Sequence, residues 1–214
     1  MKRPNGFRGA VFDLDGLLID SEPSWRAAQR TLLWEFGCDL TSEMQFQTVG
    51  LGLPAALAVW RTWFPGAELA IEEVNRRLPV LALDHFRRSG TAKPGAARLV
   101  ASLKDSGCAL AVASSSPLRF IEAALETLGL ATSFHAIASA EREAQGKPHP
   151  AVYLTACRQL DIAPTDGIAF EDSLPGLRSA KAAGLFCVAV PEAHGAGTEA
   201  FAEADLVLGS LEDW

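Results

Sequence analysis

Residues 10–22 read AVFDLDGLLIDSE, and this stretch decides how the rest of the chain is interpreted. It opens as a short apolar run rich in strand-forming residues, which predicts a buried β-strand over residues 8–13. The run ends at Asp13 and Asp15, and Gly16 then lets the backbone turn sharply. Carboxylates two residues apart at a strand end point the same way and repel each other unless a cation or a proton separates them. The pattern predicts either a ligand site beyond the strand or an ordinary Asp/Gly turn.

The composition limits the class of protein. The chain has 214 residues, of which 49% are hydrophobic and 21% charged, and these values are typical of a soluble globular protein. Its net charge is −7 at pH 7, and no basic stripe is present, which argues against nucleic acid and anionic membranes as partners. No apolar stretch is long enough to span a bilayer, and no apolar segment follows the basic N-terminus, so we expect no signal peptide.

The four cysteines are Cys38, Cys108, Cys157 and Cys187, and their spacing is not that of a metal site. Cys108 and Cys187 lie in or beside apolar runs, which favours reduced thiols buried in a core. Reduced cysteines and the absence of a targeting segment predict a cytoplasmic protein. No extended amphipathic seam stands out, so a monomer is expected.

Most of the chain alternates between strand and helix patterns. Such alternation predicts βαβ units and a mostly parallel sheet, that is, an α/β fold of the Rossmann-like type. The predicted strands after the first one span residues 109–113, 134–138, 167–170, 186–190 and 206–208. The predicted helices between them span residues 96–105, 117–128, 150–160 and 174–183.

The block from residue 22 to residue 88 has helical spacing throughout and no convincing strand. Residues 89–95 follow it, and their composition predicts a hinge or linker. We therefore predict an all-helical domain over residues 20–91, inserted into a core domain made of residues 1–19 and 92–214. The predicted helices of the insertion span residues 22–36, 42–49, 54–64 and 68–86, the last with a possible kink at Pro79.

The strand predicted over residues 109–113 is followed by Ser114, Ser115, Ser116 and Pro117. Hydroxyl and backbone N–H groups at a strand-to-helix turn suit a phosphate oxygen, because a helix N-terminus is partly positive. We predict that Ser116 is the N-cap of the next helix and that Ser114 and Ser115 face the crevice.

Two further strand ends or turns carry charged groups. Lys147 lies in a turn restricted by two prolines, which suits a positioned charge. Glu171 and Asp172 follow the strand predicted over residues 167–170, and carboxylates of this number suit Mg²⁺. A solvated lysine and a capping aspartate are the alternatives, but matching polar groups at four separate places point to one site.

With these residues the chain resembles the haloacid-dehalogenase superfamily of phosphohydrolases over essentially its whole length. Its helical insertion resembles the cap domain of the β-phosphoglucomutase-like branch. Within that branch, residues 20–25 and 48–51 are most similar to hexitol-phosphate and 2-deoxyglucose-6-phosphate phosphatases. The signatures that carry the resemblance are Phe12-Asp13-Leu14-Asp15-Gly16, Ser114, Lys147 and Glu171-Asp172.

The resemblance implies a Mg²⁺-dependent phosphatase that hydrolyses a small phosphorylated metabolite, a sugar or polyol phosphate, through an aspartyl-phosphate. It implies that Asp13 is the nucleophile and that Asp15 is the general acid and base. It also implies phosphate binding by Ser114, the Ser115 backbone and Lys147. The implied metal ligands are Asp13, the Asp15 carbonyl and Asp172, with Glu171 acting through water or from outside the set of direct ligands.

Specificity is expected to come from the cap. Trp25 is the candidate substrate contact there, and a place in the cap core is the equally weighted alternative. A β-phosphoglucomutase-type enzyme is one rival, but this chain has Trp25 where the mutase has His and Leu53 where it has Arg. Arg61 is another basic group for a second phosphate. A phosphoglycolate-type phosphatase and a non-catalytic phosphate-binding module are the remaining alternatives.

Overall fold

The computed structural model describes residues 6–48, 51, 53–191 and 198–214. Two compact units are present. We call Met1–Asp20 with Thr91–Trp214 the sheet unit, and Ser21–Gly90 the helical unit. Within the described part of the chain, no helix combines the length and the apolar composition that crossing a membrane requires.

The sheet unit confirms the predicted α/β fold. Its main sheet has six parallel strands in the order β5-β4-β1-β6-β7-β8. The first strand of the chain therefore lies near the centre, where both of its neighbours carry polar residues at their ends. The strands are β1 (Gly9–Phe12), β4 (Ala109–Ser114), β5 (Ala136–Ser139), β6 (Gly167–Glu171), β7 (Phe186–Ala189) and β8 (Leu206–Val207).

Four helices connect these strands, each close to its predicted position. Their bounds are α5 (Ala96–Asp105), α6 (Leu118–Thr127), α7 (Ala151–Gln159) and α8 (Leu174–Ala183). Buried residues of α7 and α8 form one apolar cluster with Val11, Ala111 and Ala169 of the sheet. The two helices thus cover one face of the strands that carry the site.

The central strands are apolar on both sides, as strands of a covered parallel sheet are. Ala10, Val11 and Phe12 are all fully buried. Phe12 stacks on Phe170 of the neighbouring strand, with ring centroids 4.9 Å apart. This packing fixes the two residues that immediately precede Asp13 and Glu171.

A short antiparallel pair was missed by the sequence patterns. It consists of β2 (Ile19–Asp20) and β3 (Thr91–Ala92). Residues 91 and 92 belong to the segment predicted as a hinge or linker, and they form the second strand of this pair. Two-residue strands have no periodicity of their own, and only their pairing defines them.

The helical unit has four helices and no strand within its described residues. Leu32 of the first helix and Val74, Leu78 and Phe86 of the last are fully or almost fully buried. The three residues of the last helix lie four and eight positions apart, and this spacing gives that helix one apolar face. The helices are α1 (Glu22–Glu35), α2 (Ser42–Gln47), α3 (Leu53–Trp63) and α4 (Ile71–Ser89).

Candidate active site

The predicted polar residues meet at the carboxyl ends of three neighbouring strands. Phe12 pairs with Phe170 in the parallel register of β1 and β6, so Asp13 and Glu171 leave the sheet at the same level. Ser114 is the last residue of β4, on the other side of β1. In open α/β sheets this edge is where ligands bind.

Lys147 joins the first two of these residues. Its Nζ donates hydrogen bonds of 2.5 Å to Asp13 Oδ1 and 2.5 Å to Glu171 Oε1. The lysine side chain is only 6% exposed, although it belongs to a loop. Burial by itself lowers the pKa of Lys147, but the attraction of Asp13 and Glu171 is stronger, and the net shift is upward. Lys147 is therefore a fixed cation and not a solvated one.

Glu171 is held on both of its oxygens. Its Oε1 also accepts a hydrogen bond of 2.6 Å from the hydroxyl of Tyr153, a fully buried residue of α7. Its Oε2 accepts bonds from the backbone N–H and the hydroxyl of Ser173, at 3.3 and 3.1 Å. A Cβ on Gly176 would lie 1.9 Å from Oε1, so only glycine leaves room for this carboxylate. These contacts fix the Glu171 carboxylate, to which the ammonium group of Lys147 is bonded.

Burial sets the electrostatics of Asp13. It raises the pKa of the carboxyl group to about 7, Lys147 opposes the shift, and the nearby charges of Glu171 and Asp15 add to it. Asp13, Glu171 and Asp172 each offer one carboxylate oxygen, and the three oxygens lie within 4.8 Å of one another. The cluster has three carboxylates and one lysine, so negative charge is in excess. Carboxylate oxygens are the ligands that a divalent cation such as Mg²⁺ prefers in proteins. The residues present therefore fit a metal ion.

Asp15 is bonded to two serines of the turn after β4. Ser116 Oγ donates to Asp15 Oδ2 at 2.7 Å, and Ser114 Oγ donates to the same oxygen at 3.4 Å. Gly16 has a φ of 85°, which confirms the predicted sharp turn. The predicted role of Ser116 as an N-cap is wrong, because Pro117 is the N-cap of α6.

Pro117 takes the N-cap position because its ψ of 142° is extended, so the helix begins one residue later. The backbone N–H of Leu118 donates a hydrogen bond of 3.1 Å to the carboxylate of Glu141, and not to the hydroxyl of Ser116. The hydroxyl of Ser116 is free of the helix and turns to Asp15. Ser115 lies beside it and is exposed.

Three residues of this network were missed by the sequence analysis: Tyr153, Ser173 and Ser116 as a partner of Asp15. A signal existed for Tyr153, because it is the single tyrosine of the chain and lies in an apolar helix. A buried tyrosine hydroxyl needs a polar partner. The two serines gave no comparable signal, since serine is common in turns before helices.

The residues predicted to act in the insertion lie in the helical unit. Trp25 is half-buried near the start of α1, and Leu53 is the first residue of α3. Arg61 donates a hydrogen bond of 2.5 Å to the carbonyl of Leu69, so its guanidinium supports the connection between α3 and α4. Val49 and Gly50, two residues of the family-like segment 48–51, lie outside the described residues.

Comparison with known proteins identifies the family of the chain. A family profile described as haloacid dehalogenase-like hydrolase matches residues 7–184. Hexitol phosphatase B of Escherichia coli strain K12 is 34% identical over 214 residues, which cover 100% of this chain and 96% of that one. Beta-phosphoglucomutase of Bacillus subtilis strain 168 is 28% identical over 218 residues, covering 97% of this chain and 95% of that one.

A solved structure is similar over the same length. The crystal structure of CbbY from Rhodobacter sphaeroides in complex with phosphate has a TM-score of 0.80 and 30% sequence identity, and the match covers 96% of this chain and 95% of that chain. The chain therefore belongs to the haloacid dehalogenase-like hydrolase family. The predicted family, fold and enzyme class, a phosphatase within these hydrolases, are confirmed.

Proposed function

We propose that this enzyme hydrolyses small sugar- or polyol-phosphate monoesters through an aspartyl-phosphate on Asp13, with Mg²⁺ as cofactor. The observation that carries the proposal is the bond from Lys147 to both Asp13 and Glu171 in a buried cluster. A lysine held in this way favours the ionised form of Asp13, against the burial that raises its pKa, and presents a positive charge where a phosphate would approach.

The metal ligands in this proposal are the side chains of Asp13 and Asp172 and the carbonyl oxygen of Asp15. Glu171 is assigned to the outer shell, because Lys147, Tyr153 and Ser173 already occupy its two oxygens. When bound, the metal would supply charge neutralisation for the phosphate group. Side chains of the protein perform the bond-making and proton-transfer steps.

In the first step, Asp13 attacks phosphorus, an Oδ–P bond forms and the ester P–O bond breaks. The electron pair of the broken bond goes to the leaving oxygen, which takes the proton of Asp15. In the second step, water attacks phosphorus, gives its proton to Asp15 and releases phosphate from Asp13. Ser114, the Ser115 N–H group and Lys147 stabilise the phosphate oxygens in both steps.

The substrate class rests on relatives and on the helical insertion. Hexitol phosphatase B is similar over the whole chain, and its name indicates a hexitol phosphate. We assign residues 1–19 and 92–214 to the catalytic core and residues 20–91 to a cap that selects the substrate, with Trp25 as a substrate contact. The proposal includes a monomeric protein in the cytoplasm, as the composition predicts.

The test is phosphate release by the purified protein with Mg²⁺ across a panel of hexitol and hexose phosphates, phosphoglycolate and β-glucose 1-phosphate. We expect release from the hexitol or hexose phosphates, and we expect Asp13→Asn to reduce it to background. Asp105→Asn is the control, because Asp105 is exposed at the end of α5.

Two results would contradict the proposal. The first is wild-type activity in the Asp13→Asn variant, which would exclude an aspartyl-phosphate on that residue. The second is the formation of glucose 6-phosphate from β-glucose 1-phosphate in the presence of glucose 1,6-bisphosphate, without phosphate release from any substrate. That outcome would identify a phosphomutase.

A further inference from the structure

Asp15 is held by a network of three serines. Ser114 belongs to the family signatures named above, whereas Ser116 and Ser139 do not. Ser116 Oγ donates to Asp15 Oδ2 at 2.7 Å, a shorter distance than the 3.4 Å from Ser114 Oγ. Ser116 is 8% exposed, so water competes little for its hydroxyl. We propose that Ser116, anchored by Ser139, is a positioning residue that orients the Asp15 carboxyl group toward the leaving oxygen of the substrate.

The backbone of Ser116 is fixed on both sides. Its N–H donates to Ser114 Oγ at 3.0 Å, and its carbonyl accepts a bond of 2.7 Å from Ser139 Oγ. Ser139 is the last residue of β5 and is level with Ser114 in the parallel register of β4 and β5. Ser139 Oγ in turn accepts a bond of 3.2 Å from the N–H of Glu141. The hydroxyl of Ser116 is thus carried by a turn that two strands hold in place.

A carboxyl group on its own does not keep one orientation, because the terminal torsion of an aspartate is broad and roughly two-fold. A short bond to one of its oxygens narrows that range. Ser116 supplies this bond to Oδ2, and Ser114 reinforces it. The carboxyl group of Asp15 is therefore oriented before a substrate arrives, which is the condition for efficient proton transfer.

The inference rests on the proposed function, in which Asp15 protonates the leaving oxygen. It predicts that alkyl and aryl phosphates respond differently to the loss of the Ser116 hydroxyl. A sugar or polyol leaves as a strongly basic alkoxide and needs that proton. A p-nitrophenolate leaves without it. Loss of the Ser116 hydroxyl should consequently impair hydrolysis of alkyl phosphates and spare hydrolysis of p-nitrophenyl phosphate. Loss of a phosphate-binding group, or of folded protein, would impair both.

The experiment compares kcat/KM for sorbitol 6-phosphate and p-nitrophenyl phosphate in wild type, Ser116→Ala, Ser116→Thr and Ser139→Ala. For Ser116→Ala we expect a loss of roughly 10- to 100-fold with the alkyl phosphate, the range for a hydrogen bond to a charged group, and less than about 3-fold with the aryl phosphate. Ser116→Thr restores a hydroxyl and should recover most of the alkyl activity. Ser139→Ala should show the same selectivity to a smaller extent.

Thr127→Val is the matched control. In the wild type, the Thr127 hydroxyl donates a hydrogen bond to the carbonyl of Ala123 at the far end of α6. The variant therefore loses a hydroxyl-to-carbonyl bond that is remote from Asp15. We expect both activities to stay at the wild-type level in it.

Each other outcome is decisive. Equal losses on the two substrates would overturn the positioning role and make Ser116 a phosphate-binding or purely structural residue. Unchanged activity, or a gain with the alkyl phosphate, would overturn it as well, a gain meaning that Ser116 holds Asp15 away from the reaction. Wild-type protein that released phosphate neither from p-nitrophenyl phosphate nor from any hexitol or hexose phosphate of the panel would overturn the proposed function itself, and this inference with it.

Discussion

At the scale of single residues, the site depends on how hydrogen-bond donors are distributed over a small number of carboxylates. Lys147 contacts both Asp13 and Glu171, and its ammonium group also lies 5.0 Å from the ring centroid of Tyr153. Tyr153 therefore touches both members of the Lys147–Glu171 pair. The tyrosine hydroxyl is the donor that holds Glu171 from the core side.

Replacement of Tyr153 by Phe removes this donor and keeps the ring. We expect kcat to fall by roughly 10-fold, with KM changed by less than about 2-fold, because Lys147 loses orientation while the other phosphate contacts remain. Steady-state kinetics with the best substrate of the panel would measure both constants.

A control for that variant lies one helical turn further along α7. Cys157 is buried in the same apolar cluster, and Cys157→Ala should lower stability and leave kcat unchanged. If Tyr153→Phe lowered stability without changing kcat, the tyrosine would be an ordinary core residue.

At the scale of elements, α4 contains an apparent contradiction. It spans Ile71–Ser89, and Pro79 lies inside it. A proline there removes one backbone hydrogen bond and crowds the preceding turn. The helix persists because its apolar face is buried through Val74, Leu78, Ala82 and Phe86. Packing of one face thus outweighs an unfavourable backbone residue.

We therefore expect Pro79→Ala to stabilise the protein, by about 1–3 kcal/mol in the free energy of unfolding. Urea denaturation monitored by circular dichroism would measure the change. Pro23→Ala is the matched control, because Pro23 lies in the first turn of α1, where proline is well tolerated, and a change below about 0.5 kcal/mol is expected. A loss of stability in Pro79→Ala would mean that the proline ring contributes essential packing.

At the scale of the whole molecule, both units bury their cysteines. All four are free thiols in buried positions. For Cys108 and Cys187 this confirms the prediction made from the apolar runs around them. Burial raises the pKa of the Cys157 thiol to about 11 and raises the pKa of Cys108 as well. A raised pKa lowers the fraction of thiolate, the form that reacts.

This leads to a prediction for the folded enzyme. At pH 8, about one in a thousand Cys157 side chains would be a thiolate, and access is blocked by packing. Native protein should not react with a disulfide reagent over minutes, and denatured protein should release four equivalents. Ser106→Cys is the positive control, since Ser106 is exposed and its replacement should react at once. Fast labelling of wild type would contradict the buried placement.

The sequence by itself determined the alternation of strands and helices, the all-helical block, the polar strand ends with Asp13 and Glu171, and the charged turn with Lys147. These features are local, because periodicity and turn residues act over a few neighbouring positions. The α/β fold follows from them, since parallel strands with intervening helices bring their carboxyl ends to one edge.

Only the tertiary structure decided the partners of these groups. Tyr153 reaches Glu171 across 18 positions, Ser139 reaches Ser116 across 23, and Ser116 reaches Asp15 across 101. A hydroxyl in a core helix or a turn has no periodic signature, so its partner becomes known only when the strands and helices are packed together. The same reason applies to the pair of two-residue strands, which exists through its partner alone.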